Sequence, residues 1–159
     1  MKKIILILIS IVIVSCNDND DEPIVVPFVP VTITPILVGK GNLNGSEGVS
    51  QQNIVINDNT NWNNLKNQID LYYQPFGINY TEQYFEETTI DFDNFTIISV
   101  FDQVYGDGGH TIDITSIIEY ETNIVVTIEN IQPGNGSSVI RQPYHIVKIP
   151  KATKSIVFE

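Results

Sequence analysis

The chain has 159 residues, enough for one domain of ordinary size. Nineteen acidic residues against eight basic ones give a net charge of −11, which argues against nucleic acid as a partner and against electrostatic docking on anionic lipid. Isoleucine, valine, threonine and asparagine abound while alanine is nearly absent, a balance that favours strands and turns over helices.

Lys2 and Lys3 form a short positive segment ahead of an apolar run, Ile4 to Val14, interrupted only by Ser10. Eleven residues are too few to cross a hydrocarbon core, which needs about 20 in a helix. They fit the hydrophobic region of a secretory signal. The run ends in Ile13-Val14-Ser15-Cys16, which resembles the lipobox of bacterial lipoproteins, with Ile13 where leucine is commonest. Residues 1–15 therefore read as an export signal and Cys16 as the acylated first residue of the mature protein. Cys16 is the only cysteine, so no disulfide within the chain is possible. A diacyl or triacyl anchor meets the requirement for more than one chain in stable attachment, holding the protein on a membrane without spanning it.

Residues 17–22 (Asn17-Asp18-Asn19-Asp20-Asp21-Glu22) are too polar to bury and read as a solvated tether. Acidic residues directly after the cysteine also resemble the surface-export signal of lipoproteins in some Gram-negative groups; a plain spacer is the alternative. EF-hand spacing is absent, which removes calcium from consideration. Residues 23–35 hold four prolines among apolar residues, excluding a helix or central strand. An extended stalk is expected there, with an edge strand packed on the domain as the competing reading. Lipidated tether is thus assigned to 16–35 and a single domain to 36–159.

Within the domain, Asn44-Gly45 predicts a hairpin between strands at 36–38 and 49–56. Asn59 or Thr60 can cap a helix through about Tyr72, with Trp62, Leu65 and Ile69 as its buried stripe and Pro75 as its stop. Residues 77–87 are aromatic and polar without a period, either loop or short helix. From Ile90 onward strand follows strand. Phe95, Ile97 and Phe101 alternate with Thr96, Ile98 and Val100, and apolar residues on both faces imply a central strand. Further strands are expected at 111–115, 124–129, 140–149 and 155–158, separated by turns at 106–109, 121–123 and 133–136. The expected class is α+β, a mostly antiparallel β meander with one short helix on the sheet.

No catalytic constellation stands out. Gly106-Asp107-Gly108-Gly109 lacks both phosphate-loop patterns and joins two strands, so it reads as a turn needing positive φ. His110 and His145 lack metal-ligand spacing and read as ordinary strand residues, and no cofactor is implied. Ser99 lies mid-strand, and Ser137 and Ser138 lie in a polar turn without GxSxG. Pairs such as Glu86-Glu87 are expected by chance in so acidic a chain. Tyr72, Tyr73, Phe76, Tyr80, Tyr84 and Phe85 could form a carbohydrate- or peptide-binding platform, against the simpler reading of core and rim packing.

Residues 90–158 resemble the C-terminal domain of the PrcB family, lipoproteins associated with a surface protease complex. The resemblance rests on Asp91-Phe92 before the strand to Phe101, on Gly108-Gly109 opening into Thr111-Ile112-Asp113-Ile114, on the Thr122 to Asn130 strand, on Pro133-Gly134, and on Pro143-Tyr144 running to Lys148-Ile149-Pro150. Trp62 with its short helix is similar to the family's tryptophan segment, and His110 departs from the aromatic residue usual after the glycines. The resemblance implies a non-enzymatic role, assisting or stabilising a protease complex at the cell envelope, with contact residues at Gly106, Asp107, Gly108, Gly109, His110, Arg141, Pro143 and Tyr144. Gly108-Gly109 and Arg141-Gln142-Pro143-Tyr144 are also loosely similar to two inhibitory loops of chagasin-type protease inhibitors, without their Asn-Pro-Thr-Thr-Gly loop. The expected partners are a protein, a protease among the candidates, and an outer membrane through Cys16. Replacing Cys16 with Ala should release the chain from membranes in a fractionation assay while its circular dichroism stays that of the folded domain.

Overall fold

The computed structural model describes residues 27–159, so the expectations for the signal, Cys16 and the acidic tether lie outside the described residues. Eight strands and two helices follow in order: β1 (Val31–Thr32), β2 (Ile36–Leu43), β3 (Gln52–Ile56), α1 (Asn59–Tyr73), α2 (Tyr80–Tyr84), β4 (Phe95–Phe101), β5 (His110–Glu119), β6 (Asn123–Pro133), β7 (Gln142–Pro150) and β8 (Ser155–Phe158). The class is α+β and mostly antiparallel, with one main helix, as the residue pattern predicts. The strands divide between two sheets. A central sheet has the order β2-β7-β4-β3 and an outer sheet the order β1-β5-β6-β8. Only β6 and β8 pair in parallel among the described strands.

Three layers result, because β4 and β7 carry apolar residues on both faces. On one face Ile97, Phe101, Tyr144 and Ile146 pack under α1 with Trp62, Leu65 and Ile69. On the other, Ile98, Val100, Val147 and Ile149 meet Ile112, Ile114, Ile117, Ile124 and Val126 of the outer sheet. A two-faced strand cannot leave either face to water, so one sheet with one helix would not suffice.

The Asn44-Gly45 hairpin does not form. β2 pairs with β7 and β3 with β4, at opposite edges of the central sheet. Residues 44–51 cross the sheet end, held by the buried Glu47 carboxylate, which accepts from the backbone N–H groups of Asn44 and Ser46 and from the Tyr73 hydroxyl. Gly45, at φ 80°, turns the chain against Val104 and Ile140, so the dipeptide serves a crossing connection.

Helix α1 is capped one residue earlier than expected, by Asp58, whose carboxylate accepts from Asn61 N–H at 2.8 Å. That hydrogen bond holds the Asp58 carboxyl below its ordinary range. Pro75 sits in a 3-10 turn directly after the helix. Trp62, almost wholly buried, donates from Nε1 to Thr88 C=O at 2.9 Å and lies near-parallel to the Phe85 ring at 5.9 Å. Opposite Phe85, β2 carries Gly39: a Cβ there would stand 2.7 Å from the Phe85 ring, so only glycine lets the ring close down on the strand.

Part of the proline-rich stretch is an edge strand. Val31 and Thr32 pair with Glu119 and Ile118, and Ile33 packs into the inter-sheet core, so the folded unit begins before residue 36. Trp62→Ala should lower unfolding stability by about 3–5 kcal/mol through the cavity it leaves, measured as a urea-midpoint shift at unchanged slope.

Candidate functional site

The connections sort onto two ends of the sandwich. Residues 44–51, 102–109 and 134–141 all lie at one end, the tip, while β1, the 120–122 turn and residues 151–154 lie at the other, the base. At the base the Lys154 ammonium stands 4.4 Å from the Phe28 ring centre and donates to Tyr120 C=O. The ten residues of β5 separate tip from base by about 30 Å.

At the tip, Gly106 to His110 and Pro133 to Ser137 pack on each other. Gly108 N–H donates to Ser137 C=O at 3.0 Å, and Asn135 N–H to Gly108 C=O at 2.8 Å. The His110 ring stacks on Tyr105 at 3.6 Å and its Nε2 lies 2.9 Å from Asp107, whose carboxyl is held below its ordinary range by that hydrogen bond. A Cβ on Gly134 would strike His110 and Asp107, and Gly109, at φ 87°, has the positive φ expected of the turn. The glycines serve close loop packing. Of this group Gly106 is exposed, Asp107, Gly109 and His110 are half-buried, and Gly108 is buried.

Asp102 ties the tip together. Its buried carboxylate accepts from Gln103 N–H, the Tyr105 hydroxyl and Asn130 Nδ2 at 2.6–2.8 Å. Its backbone pairs with Pro143 C=O and with Gln142 Nε2. Nothing in the sequence marks Asp102 apart from the other acidic residues, because its partners come from three separate segments.

Arg141 to Tyr144, similar to an inhibitor loop but within the strand expected at 140–149, is mostly strand. Arg141 makes an isolated bridge with Tyr105, whereas Pro143 and Tyr144 lie inside β7 and are buried. Pro143 and Tyr144 therefore present almost no surface, although Tyr144 helps line a cleft of about 430 Å³. Arg141 and Tyr144 meet there with Tyr73, Tyr80, Tyr84 and Gly41. Tyr80 stacks between Tyr73 at 4.7 Å and Tyr84 at 4.6 Å, and its hydroxyl lies 3.3 Å from that of Tyr144. Desolvation raises the Tyr80, Tyr73 and Tyr144 hydroxyls above their ordinary value, assisted for Tyr73 by Glu47 and for Tyr144 by Tyr80, so all three act as neutral groups at physiological pH. The platform residues are brought together in part. Phe85 is core, and Tyr72 and Phe76 pack beside one another outside the cleft lining. Gly41 was not signalled by the sequence because β2 reaches the cleft through its pairing with β7.

Ser99 is fully buried in β4 with no hydrogen-bond partner for its hydroxyl, and among the described residues no group of three or more His, Cys, Asp or Glu could hold a metal ion. No described helix is long and apolar enough to cross a membrane. No family model, curated protein or solved structure matches the chain.

His145 has a structural post. It faces the outer sheet, and its Nδ1 accepts from Ile114 N–H at 3.0 Å beside the β5 bulge, where β1 no longer covers the strand. Accepting there requires the neutral ring. Desolvation, then Lys40, lowers its pKa from the ordinary 6.5, with the Asp113 carboxylate opposing them. Since the unfolded chain then binds the proton more readily, stability rises with pH through this range and is lost as pH falls below about 6.5. Urea midpoints should therefore drop between pH 7 and 5, and His145→Asn, which keeps an acceptor without the titration, should flatten that part of the profile.

Proposed function

We propose that this chain is a lipid-anchored, non-catalytic binding domain, displayed at the cell envelope as an accessory subunit of a protease or other protein complex. The observation that carries the reading is the polarity of the fold. The chain comes in from its N-terminal side at the base, through β1 beside the 120–122 turn, whereas the connecting loops gather at the tip about 30 Å away. A domain tethered at the base holds its tip away from the membrane, and loops set on a rigid scaffold are the usual seat of recognition. The tip also carries exposed Val104, Ile131, Val139 and Ile140, an apolar group of the kind that docks on another protein. The resemblance of residues 90–158 to the PrcB C-terminal domain supports the same role.

The test is site-specific photo-cross-linking on intact cells. A photoreactive residue at Ile140 should capture a peptidase or assembly subunit, and one at Glu121, in the basal turn, should not. Equal capture from both positions, or retention on a glycan column with no envelope-complex subunit captured at Ile140, would rule the accessory role out.

A further inference from the structure

We infer that the tyrosine cleft is a receptor for a carboxylate-bearing peptide segment, with Arg141 binding the carboxylate and the cleft rings receiving an adjacent apolar side chain. Arg141 is the chain's single arginine, in a molecule with nineteen acids. Every described lysine has a partner within the fold: Lys40, which also lines the cleft, pairs with Asp113, Lys148 with Glu87, Lys154 with Glu119, Lys66 with Thr88 C=O, and Lys151 with Phe92 C=O. The Arg141 guanidinium donates to the carbonyl of its neighbour Ile140, at 3.2 Å, and among the described residues it has no carboxylate partner. An acid-rich protein with a half-buried arginine at a cleft, without a counter-ion among the described residues, has an anion-binding group to spare. The planar fork of guanidinium donors matches a carboxylate bidentately.

The rest of the lining selects the body of the ligand. Three of the four phenolic hydroxyls are already engaged, Tyr73 with Glu47 and Tyr80 with Tyr144 and Asn42 C=O. A polyhydroxylated ring buried against these three hydroxyls would lose water and regain few partners from them, a penalty an apolar side chain does not suffer. Ile78 and Tyr84, both exposed at the rim, add apolar surface. Carboxylate plus apolar side chain is the chemistry of a peptide terminus, or of an acidic residue beside an apolar one, and not of an acidic sugar.

This deepens the accessory reading by naming what part of the tip takes, but it concerns the purified chain alone. Peptide binding without cellular capture would sink only the accessory role, and capture without peptide binding only this one. Calorimetry on the full acylated chain in detergent would use N-acetyl-Gly-Gly-Phe and N-acetyl-Gly-Gly-Leu as free acids and as amides, N-acetyl-Gly-Asp-Phe-Gly amide, and trigalacturonate. A carboxylate-bearing peptide should bind about tenfold or more tighter than its amide, the terminal and internal arms showing which carboxylate is preferred. Arg141→Gln should abolish that difference, with Arg141→Lys intermediate and melting temperature unchanged in both. Equal binding of acid and amide, indifference to Arg141→Gln, binding of trigalacturonate alone, or no binding of any peptide overturns the assignment.

Discussion

The structure depends on one constraint: β4 and β7 are apolar on both faces, so the sheet they form must be covered twice. Ile97 and Phe101 point to one side and Ile98 and Val100 to the other, all of them fully or almost fully buried. Covering only one side would expose several large side chains, each worth roughly 1.5–3 kcal/mol on burial. Helix α1 with its Trp62 stripe closes one face, and the β5–β6 pair closes the other. The molecule is three layers deep because its middle layer has no polar side.

That arrangement decides what the connections do. With β2 and β3 at opposite edges, residues 44–51 must cross the sheet end, and with β4 and β5 in different sheets residues 102–109 must cross between layers. Three crossings crowd one end, which is why buried carboxylates appear there. Glu47 and Asp102 each gather donors from more than one segment, satisfying groups that strand pairing leaves over. Close loop packing also explains the glycine-rich turn, in which Gly109 and Gly134 stand where a Cβ would strike Asn135 or His110.

Charge is used sparingly at this end. The described lysines act as local fasteners, tying sheet to sheet or loop to helix, and the one arginine remains over an aromatic cleft. Acidic surface elsewhere keeps the domain soluble and repels anions in general, so an anionic ligand gains at Arg141 only if its shape brings it close. Such a site discriminates by fit and desolvation more than by long-range attraction.

Much of this was legible in the residues. Period-two alternation located β4, β5 and β6, the runs between turns located β7 and β8, the Trp62-Leu65-Ile69 spacing located α1, and the two-faced pattern of Phe95 to Phe101 marked a central strand. Strand partners were not legible. Asn44-Gly45 looks like a hairpin turn because turn chemistry is local, whereas pairing is decided by which distant strand best covers each edge. Arg141 and Tyr144 stood out by sequence pattern, but that they share a cleft with Tyr73, Tyr80 and Tyr84 follows only from the pairing of β7 with β2 and the return of α2 over it. The amino-acid sequence by itself determined which faces must be buried and where the chain must turn, since both are properties of neighbouring residues. Only the tertiary structure decided what covers each face, which loops meet at the tip and which cation has no carboxylate partner among the described residues, because those depend on contacts between residues far apart in the chain.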